Sequence, residues 1–459
     1  MKRTLLVLVV ALCVFAVNPV WAAETTITVP TALGWVTTNA MVPLVAEELK
    51  ADNIKVDVVA TENIVLRDKQ MMEGRMKSGA FDVFLAWEAL MPLMTDFLEP
   101  LDDYIVKAGV DLEKFKKSFY PAVQELISVN GKIYWIPIHV NSQLGYARRD
   151  LFTDPKEQAA FKKQYGYDLP QPNAVGSIAF KDRQQFIDVA KFFTRDTNGD
   201  GKTELWGLSQ PAKWDHGTCV FEELILRAGL EYFDAKGHSL WGPAHPENQP
   251  IVLDVAKFLS DTINTWKITS PGALGMEMTE TNQLFMEGKA AMSYTWNVDF
   301  WGKVSKGDFA TKYGVPLSWS IGFMNKAPEY KGLMSIWGYA LSKDSKNKDA
   351  AVKFLLKMAD PAIRKKGHAT VGLPCPNGQV EVTEWAAKEG YAPGAFIDAV
   401  QSVGSFWPVS KTPWAETEPV RDVVRGTREK LMAGQMTPEQ FVKETGEKIE
   451  AIMKEAGHF

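Results

Sequence analysis

An α/β fold with room for two lobes is predicted for this chain on three observations. Its first hundred residues alternate β-patterned runs with helical ones. It runs to 459 residues, 46% hydrophobic and 23% charged, with no low-complexity tract. Several of the β-patterned runs end on a tryptophan beside a polar residue. Open α/β sheets bind ligands beyond the carboxyl ends of their strands, so this last pattern bears on function as well as fold.

Residues 1–22 read as a secretory signal: Lys2 and Arg3, an apolar run from Leu5 to Val17, and a cleavage site at Val20-Trp21-Ala22. The mature chain is expected to begin near Ala23, as a soluble periplasmic product, because no later stretch approaches about 20 apolar residues. Cys13 follows Leu12, where a lipoprotein signal needs a small residue, so no lipid anchor is expected. Losing Lys2 and Arg3 takes the formal charge from -5 to -7, which argues against nucleic acid as a partner. Cys219 and Cys375 then remain, and an oxidising compartment permits a bridge if their Cα atoms come close enough.

Thr25 to Pro30 patterns as a strand and Thr38 to Leu49 as a helix, joined by a glycine-started loop that carries Trp35. Free N–H groups at such a loop make it a candidate ligand contact, with packing of Trp35 over the loop as the alternative. Lys55 to Val59 is a second strand, Val65 to Lys77 a helix, and Phe81 to Ala86 a third strand ending in Trp87 and Glu88. This alternation implies a parallel sheet with Trp87 and Glu88 at its binding edge, unless Glu88 caps the helix that starts near Leu90. Gly131 to Phe152 joins two apolar runs through a polar stripe: His139, Asn141 and Gln143 share one face of an extended segment, and Ile138, Val140 and Leu144 the other. The stripe is either a solvent-facing edge or the floor of a polar site.

Asp154 to Tyr167 and Asp182 to Phe193 pattern as helices. After them, Asp196, Asn198 and Asp200 stand at positions 1, 3 and 5 of a calcium-type loop, with Gly201 at 6, Lys202 at 7 and Glu204 at 9. Position 12 is Gly207 instead of the usual glutamate, so a structural Ca²⁺ competes with an Asx-rich turn held by its own backbone bonds. No other cofactor is expected. Trp214 and Asp215 precede a helix over Thr218 to Ala228 that Asp215 could cap. Val252 to Thr265 is amphipathic, and Leu284 to Val298 reads as a helix end, a stop at Gly288, and a strand closing on Trp296 and Asn297. Ser335 to Leu341 is a strand holding Trp337, Asn347 to Lys357 a helix, and the largely helical remainder is broken by an aromatic, Pro-rich stretch with Trp407 and Trp414.

No G-x-S-x-G, H-E-x-x-H, paired C-x-x-C or P-loop occurs, and six scattered histidines make no zinc site. Glu88, Asp215 and Asp299 could form a glycosidase-type carboxylate pair, which keeps a secreted carbohydrate-active enzyme as the alternative. Against it stand 15 tryptophans, several beside hydrogen-bonding residues. Sugars suit such sites, since their C–H faces stack on indole rings while their hydroxyls need directed partners.

The motif order resembles the family 1 extracellular solute-binding proteins of ABC importers, the group that includes maltose-binding protein. The matching pieces are Phe81 to Phe84 with Leu98 to Leu101, Gly131 to Pro137 followed by Asp150 to Phe152, Phe285 to Met292, and Leu341 to Lys346 leading into Ala350 to Leu356. The resemblance implies a non-enzymatic, monomeric receptor of two α/β lobes joined by three crossovers, closing on a carbohydrate or polyol and presenting it to a membrane permease. Other solutes stay open. It further implies an N-terminal lobe of residues 23–138 plus 340–372 and a C-terminal lobe of 139–339 plus 373–459. Carried onto this chain, the family's contact positions become Trp35, Trp87, Glu88, His139, Asn141, Trp296, Asn297 and Trp414, with Trp214, Asp215, Trp337 and Trp407 as weaker additions.

Overall fold

The threonine- and valine-rich run near the N-terminus forms β1 (Thr25–Ala32), which pairs in parallel with β2 (Ile54–Thr61) through the helix Val36–Leu49. The computed structural model describes residues 24–33, 36–88, 90–172, 178–296, 315–317, 333–371, 373, 376–391 and 416–459, so the expected signal segment lies outside it. After the helix Asn63–Met76 comes β3 (Val83–Trp87). The Asp82 carboxylate joins β3 to β1 by accepting from the Thr28 N–H at 2.7 Å. The short strands β4 (Leu98–Glu99), β5 (Ser128–Val129) and β6 (Lys132–Ile133) precede β7 (Trp135–Ala147), the longest strand described. β8 (Trp206–Ser209), β9 (Ala290–Trp296), β10 (Val315–Leu317) and β11 (Met334–Ser342) complete the set.

The central sheet has the order β3-β11-β7-β9-β8, with β4 pairing in addition with β11 and β10 with β7. Among the described residues the expected parallel pairing occurs only between β1 and β2 and between β8 and β9. β11 is antiparallel to both β3 and β7, and β7 is antiparallel to β9. The reason is connectivity: β7 and β11 run between two hydrophobic cores in opposite senses, and so lie side by side head to tail.

The first core draws on residues from Ile27 to Val140 and from Ile336 to Ala386, the second on Ala147 to Leu333 and Val420 to Met453. β7 leaves the first core at Val140 and enters the second at Ala147, and the chain returns through β11. Tyr391 packs against the first core and Val420 belongs to the second, so a third passage lies between them. The fold is therefore two α/β lobes on a shared ribbon, with Trp87 packed against both cores at the junction. Among the described residues no helix is long and apolar enough to cross a membrane.

Candidate functional site

Adjacent strands put four of the expected residues side by side. Trp337 stands opposite Trp87 on β3 and opposite His139 on β7, and Ser335 stands opposite Asn141. The two indoles lie 5.0 Å apart at 38°, and the His139 ring is 6.3 Å from Trp337. Residues directly opposite on neighbouring strands share a face, so β11 gathers these groups into one surface.

Glu88, the residue after β3, is buried. It does not cap the following helix. Its Oε2 instead accepts from the Ile336 N–H at 2.7 Å and the Ser335 hydroxyl at 2.9 Å, fixing the β11 ribbon just before Trp337. Its Oε1 is buried with no hydrogen-bond partner among the described residues. Burial pushes the Glu88 carboxyl up to about 8, against the lowering pull of its main-chain and Ser335 hydrogen bonds and of the Arg421 guanidinium. His139 is fully buried, and burial together with the Arg364 charge pushes it down to about 3, so it is a neutral imidazole at any working pH.

From the second lobe comes a charged cluster. The helix Trp214–Arg227 does not start at Asp215 as its cap; Asp215 lies in the first turn, where its carboxylate meets Arg421 at 2.9 Å and Arg425 at 3.0 Å. Burial raises the Asp215 carboxyl, but these two guanidiniums outweigh it and hold the group at about 2. Trp214 is 38% exposed, sits at φ +42°, and has the Arg425 guanidinium 5.1 Å from its ring centre. A bulky residue in that left-handed region is held by its surroundings: its N–H donates to Glu429 and its carbonyl accepts from Arg428. Arg421 also donates to Glu222, which accepts from the Tyr232 hydroxyl as well.

Arg421, Arg425 and Arg428 were not singled out from the sequence, although their i, i+4, i+7 spacing marks one helix face. Ser335 was missed too, since only pairing reveals that it shares Glu88. Trp296 stands farther along the ribbon: it pairs with Gln143, four residues beyond His139 and so roughly 13 Å along β7, and packs against the second core. Trp35, Asn297, Trp407 and Trp414 lie outside the described residues, as do Asp299 and Cys375. Cys219 is a buried free thiol within reach of Arg421.

Known proteins agree with this architecture. The model of a family described as bacterial extracellular solute-binding protein matches residues 34–365. A mannitol-binding protein of Pseudomonas aeruginosa is 24% identical over 305 residues, which is 65% of this chain and 60% of that relative's length. Among solved structures, an ABC transporter solute-binding protein of Agrobacterium vitis S4 with bound D-mannitol has a TM-score of 0.72 at 22% identity, covering 94% of this chain and 99% of that one. Maltose-bound MalE3 of T. maritima also reaches 0.72, at 16% identity over 93% of this chain and 100% of its own. A solute-binding protein of Agrobacterium radiobacter K84 in complex with ribitol reaches 0.70, at 17% identity over 94% of this chain and 99% of its own. These identities speak for the fold: two lobes about a cleft.

Proposed function

Because the chain belongs to the bacterial extracellular solute-binding proteins, we propose that it is a periplasmic receptor that closes on a carbohydrate or sugar alcohol and delivers it to an ABC importer. The observation that carries this reading is the Trp87–Trp337 pair next to Glu88, whose buried Oε1 has no partner among the described residues. Indole faces accept the C–H surface of a polyhydroxylated ligand, and a buried polar atom is stable only when a hydrogen-bonding group meets it. Asn141 and Asp215 would add polar contacts, and Trp35, Trp296, Asn297, Trp407 and Trp414 would belong to the same cleft. Mannitol, ribitol and maltose in the related proteins support this solute class.

A thermal-shift screen over D-mannitol, ribitol, other sugar alcohols, monosaccharides and maltose tests the proposal. A ligand present at a hundred times its Kd raises stability by about 2.7 kcal/mol, readily seen as a shift in Tm. No shift with any of them would move the reading to amino acids, peptides or other solutes. Release of products from a bound glycoside would restore the enzyme alternative. The remaining parts of the proposal are a monomer, a leader over residues 1–22 removed near Ala23, and permease subunits as partners. The mass of the periplasmic protein checks the cleavage.

The loop at Asp196 we propose as a weak, structural Ca²⁺ site. Asp196, Asp200 and Glu204 each bring one oxygen within 4.8 Å of the others, and Gly199 and Gly201, both at φ +84°, supply the turns. The Asp196 carboxylate also accepts from the Asn198, Gly199 and Gly201 N–H groups, which lowers its pKa and orders the loop. A Cβ at Gly207 would meet the Ala190 carbonyl oxygen at 2.0 Å, so no glutamate fits at position 12 and water must complete the shell. An affinity in the 10⁻⁴–10⁻³ M range of extracellular calcium modules predicts that 2 mM Ca²⁺ adds about 1 kcal/mol of stability, reversed by chelator. A Tm and metal content indifferent to both would dismiss the site.

A further inference from the structure

β7 contains one residue more than its partner where it crosses between the lobes. Trp337 pairs with His139 but Gly338 pairs with Pro137, so Ile138 is an extra residue, a β-bulge. The local sequence favours it. Pro137 has no N–H to give the ladder, which confines proline to edges and bulges. Gly338 lies opposite, where a Cβ would stand only 3.0 Å from the Ile136 carbonyl oxygen.

The bulge decides which side chains face the site. Were the ladder to run on from Gly338 and Pro137 without a bulge, Trp337 would stand opposite Ile138, and Ile138 and Val140 would take the face that His139 and Asn141 now hold, since a shift of one residue exchanges the two faces of a strand. The extra residue therefore converts an apolar face into a polar one beside Trp87 and Trp337.

We propose that Arg364 is the positioning residue that holds this bulge. It is fully buried on the helix Pro361–Val371, and its guanidinium donates to the carbonyl of Ile138, the extra residue itself. The neighbouring main-chain group is held by the same region of chain: the Val140 N–H donates to the Pro376 carbonyl at 2.8 Å. Burying a guanidinium is costly, and this one uses its hydrogen bond on main chain at the place where the ladder is interrupted. Helix Pro361–Val371 and residues 376–378 thus clamp β7 from one side. Gly378, at φ +79°, permits the approach, because a Cβ there would lie 2.8 Å from Val140 Cγ2 and from Val123 Cγ2. The inference rests on the two-lobe fold and not on which solute the cleft takes.

The test is hydrogen exchange on the ligand-free full-length protein with Arg364→Met and Arg364→Lys. In Arg364→Met, amides of β7 and β11 around the bulge, Val140 above all, are expected to exchange at least about tenfold faster, while those of β1 and of the helix Trp214–Arg227 keep their rates. Lysine retains one donor for the Ile138 carbonyl and is expected to restore most of the protection. Unchanged exchange in β7, or faster exchange spread evenly through the first lobe with no rescue by lysine, overturns the proposal. If Arg364→Met does not fold, Arg364→Lys alone decides: a small residual rise in exchange confined to the amides around the bulge supports the clamp, and no rise there or a uniform rise refutes it.

Discussion

Arg421→Met is expected to destabilise the second lobe by about 3–5 kcal/mol, the usual cost of stripping a buried ion pair of one partner. The guanidinium is 1% exposed and is shared among Asp215, Glu222 and Glu418 at 2.9, 2.7 and 3.2 Å. Burial alone would lower its pKa; the three carboxylates outweigh that and hold it charged. Methionine fills much of the volume but leaves Glu222, fully buried, facing only the Tyr232 hydroxyl and its own charge. Urea unfolding followed by fluorescence should show the loss in the transition that belongs to the second lobe, since two lobes need not unfold as one. Adding Glu222→Gln to Arg421→Met should recover part of it, because the stranded charge is then gone. A single-variant loss below about 1 kcal/mol would mean that the network is solvated and behaves as a surface pair.

That cluster marks where sequence reading stopped. The longer strands and helices were legible where they carry their own periodicity: β1, β3, β9 and β11 lie where alternation and turn residues put them, whereas short elements such as β4, β5, β6 and β8 carry too few residues to show one. Trp87 at the end of β3 with Glu88 after it, the polar stripe of β7 and Trp337 within β11 were legible from local pattern, and β11 stands beside all of them. What was not legible depends on pairing across the chain. Arg421 meets Glu222 across 199 residues, Arg364 meets Ile138 across 226, and Ser335 meets Glu88 across 247. No local pattern encodes such partners. The parallel expectation held for β1 with β2 but not for β3, whose ladder partner is β11, since local alternation says nothing about a strand that returns through a crossover. Asp215 was read as a cap because its position before an apolar helix fits one, and its arginine partners lie in a helix two hundred residues later.

Glu88→Gln is expected to remove a pH dependence from the stability of the whole protein. In the folded state the carboxyl sits at about 8, above the 4.5 of an unperturbed glutamate. Between those values the folded state holds a proton that the unfolded state has released, so the contribution is fully present below about pH 4.5 and is lost as pH rises towards 8. The span corresponds to on the order of 5 kcal/mol as an upper bound, since each pKa unit is worth about 1.4 kcal/mol. Glutamine keeps an oxygen for the Ile336 N–H and the Ser335 hydroxyl and cannot ionise. Unfolding measured at pH 5 and pH 8.5 should therefore show wild type losing stability relative to the variant as pH rises, other groups titrating alike in both. Equal slopes in the two proteins would mean that the carboxyl is hydrated and ionises normally. The same group gives binding its own signature. Near neutral pH the protonated Oε1 is a donor, as the glutamine amide is, whereas above pH 8 it becomes an acceptor. Affinity for D-mannitol, if the screen finds it bound, should change between pH 7 and 9 in wild type and stay flat in Glu88→Gln. A wild-type profile as flat as the variant's would take Glu88 Oε1 out of contact with the ligand and leave it as a brace for β11 alone.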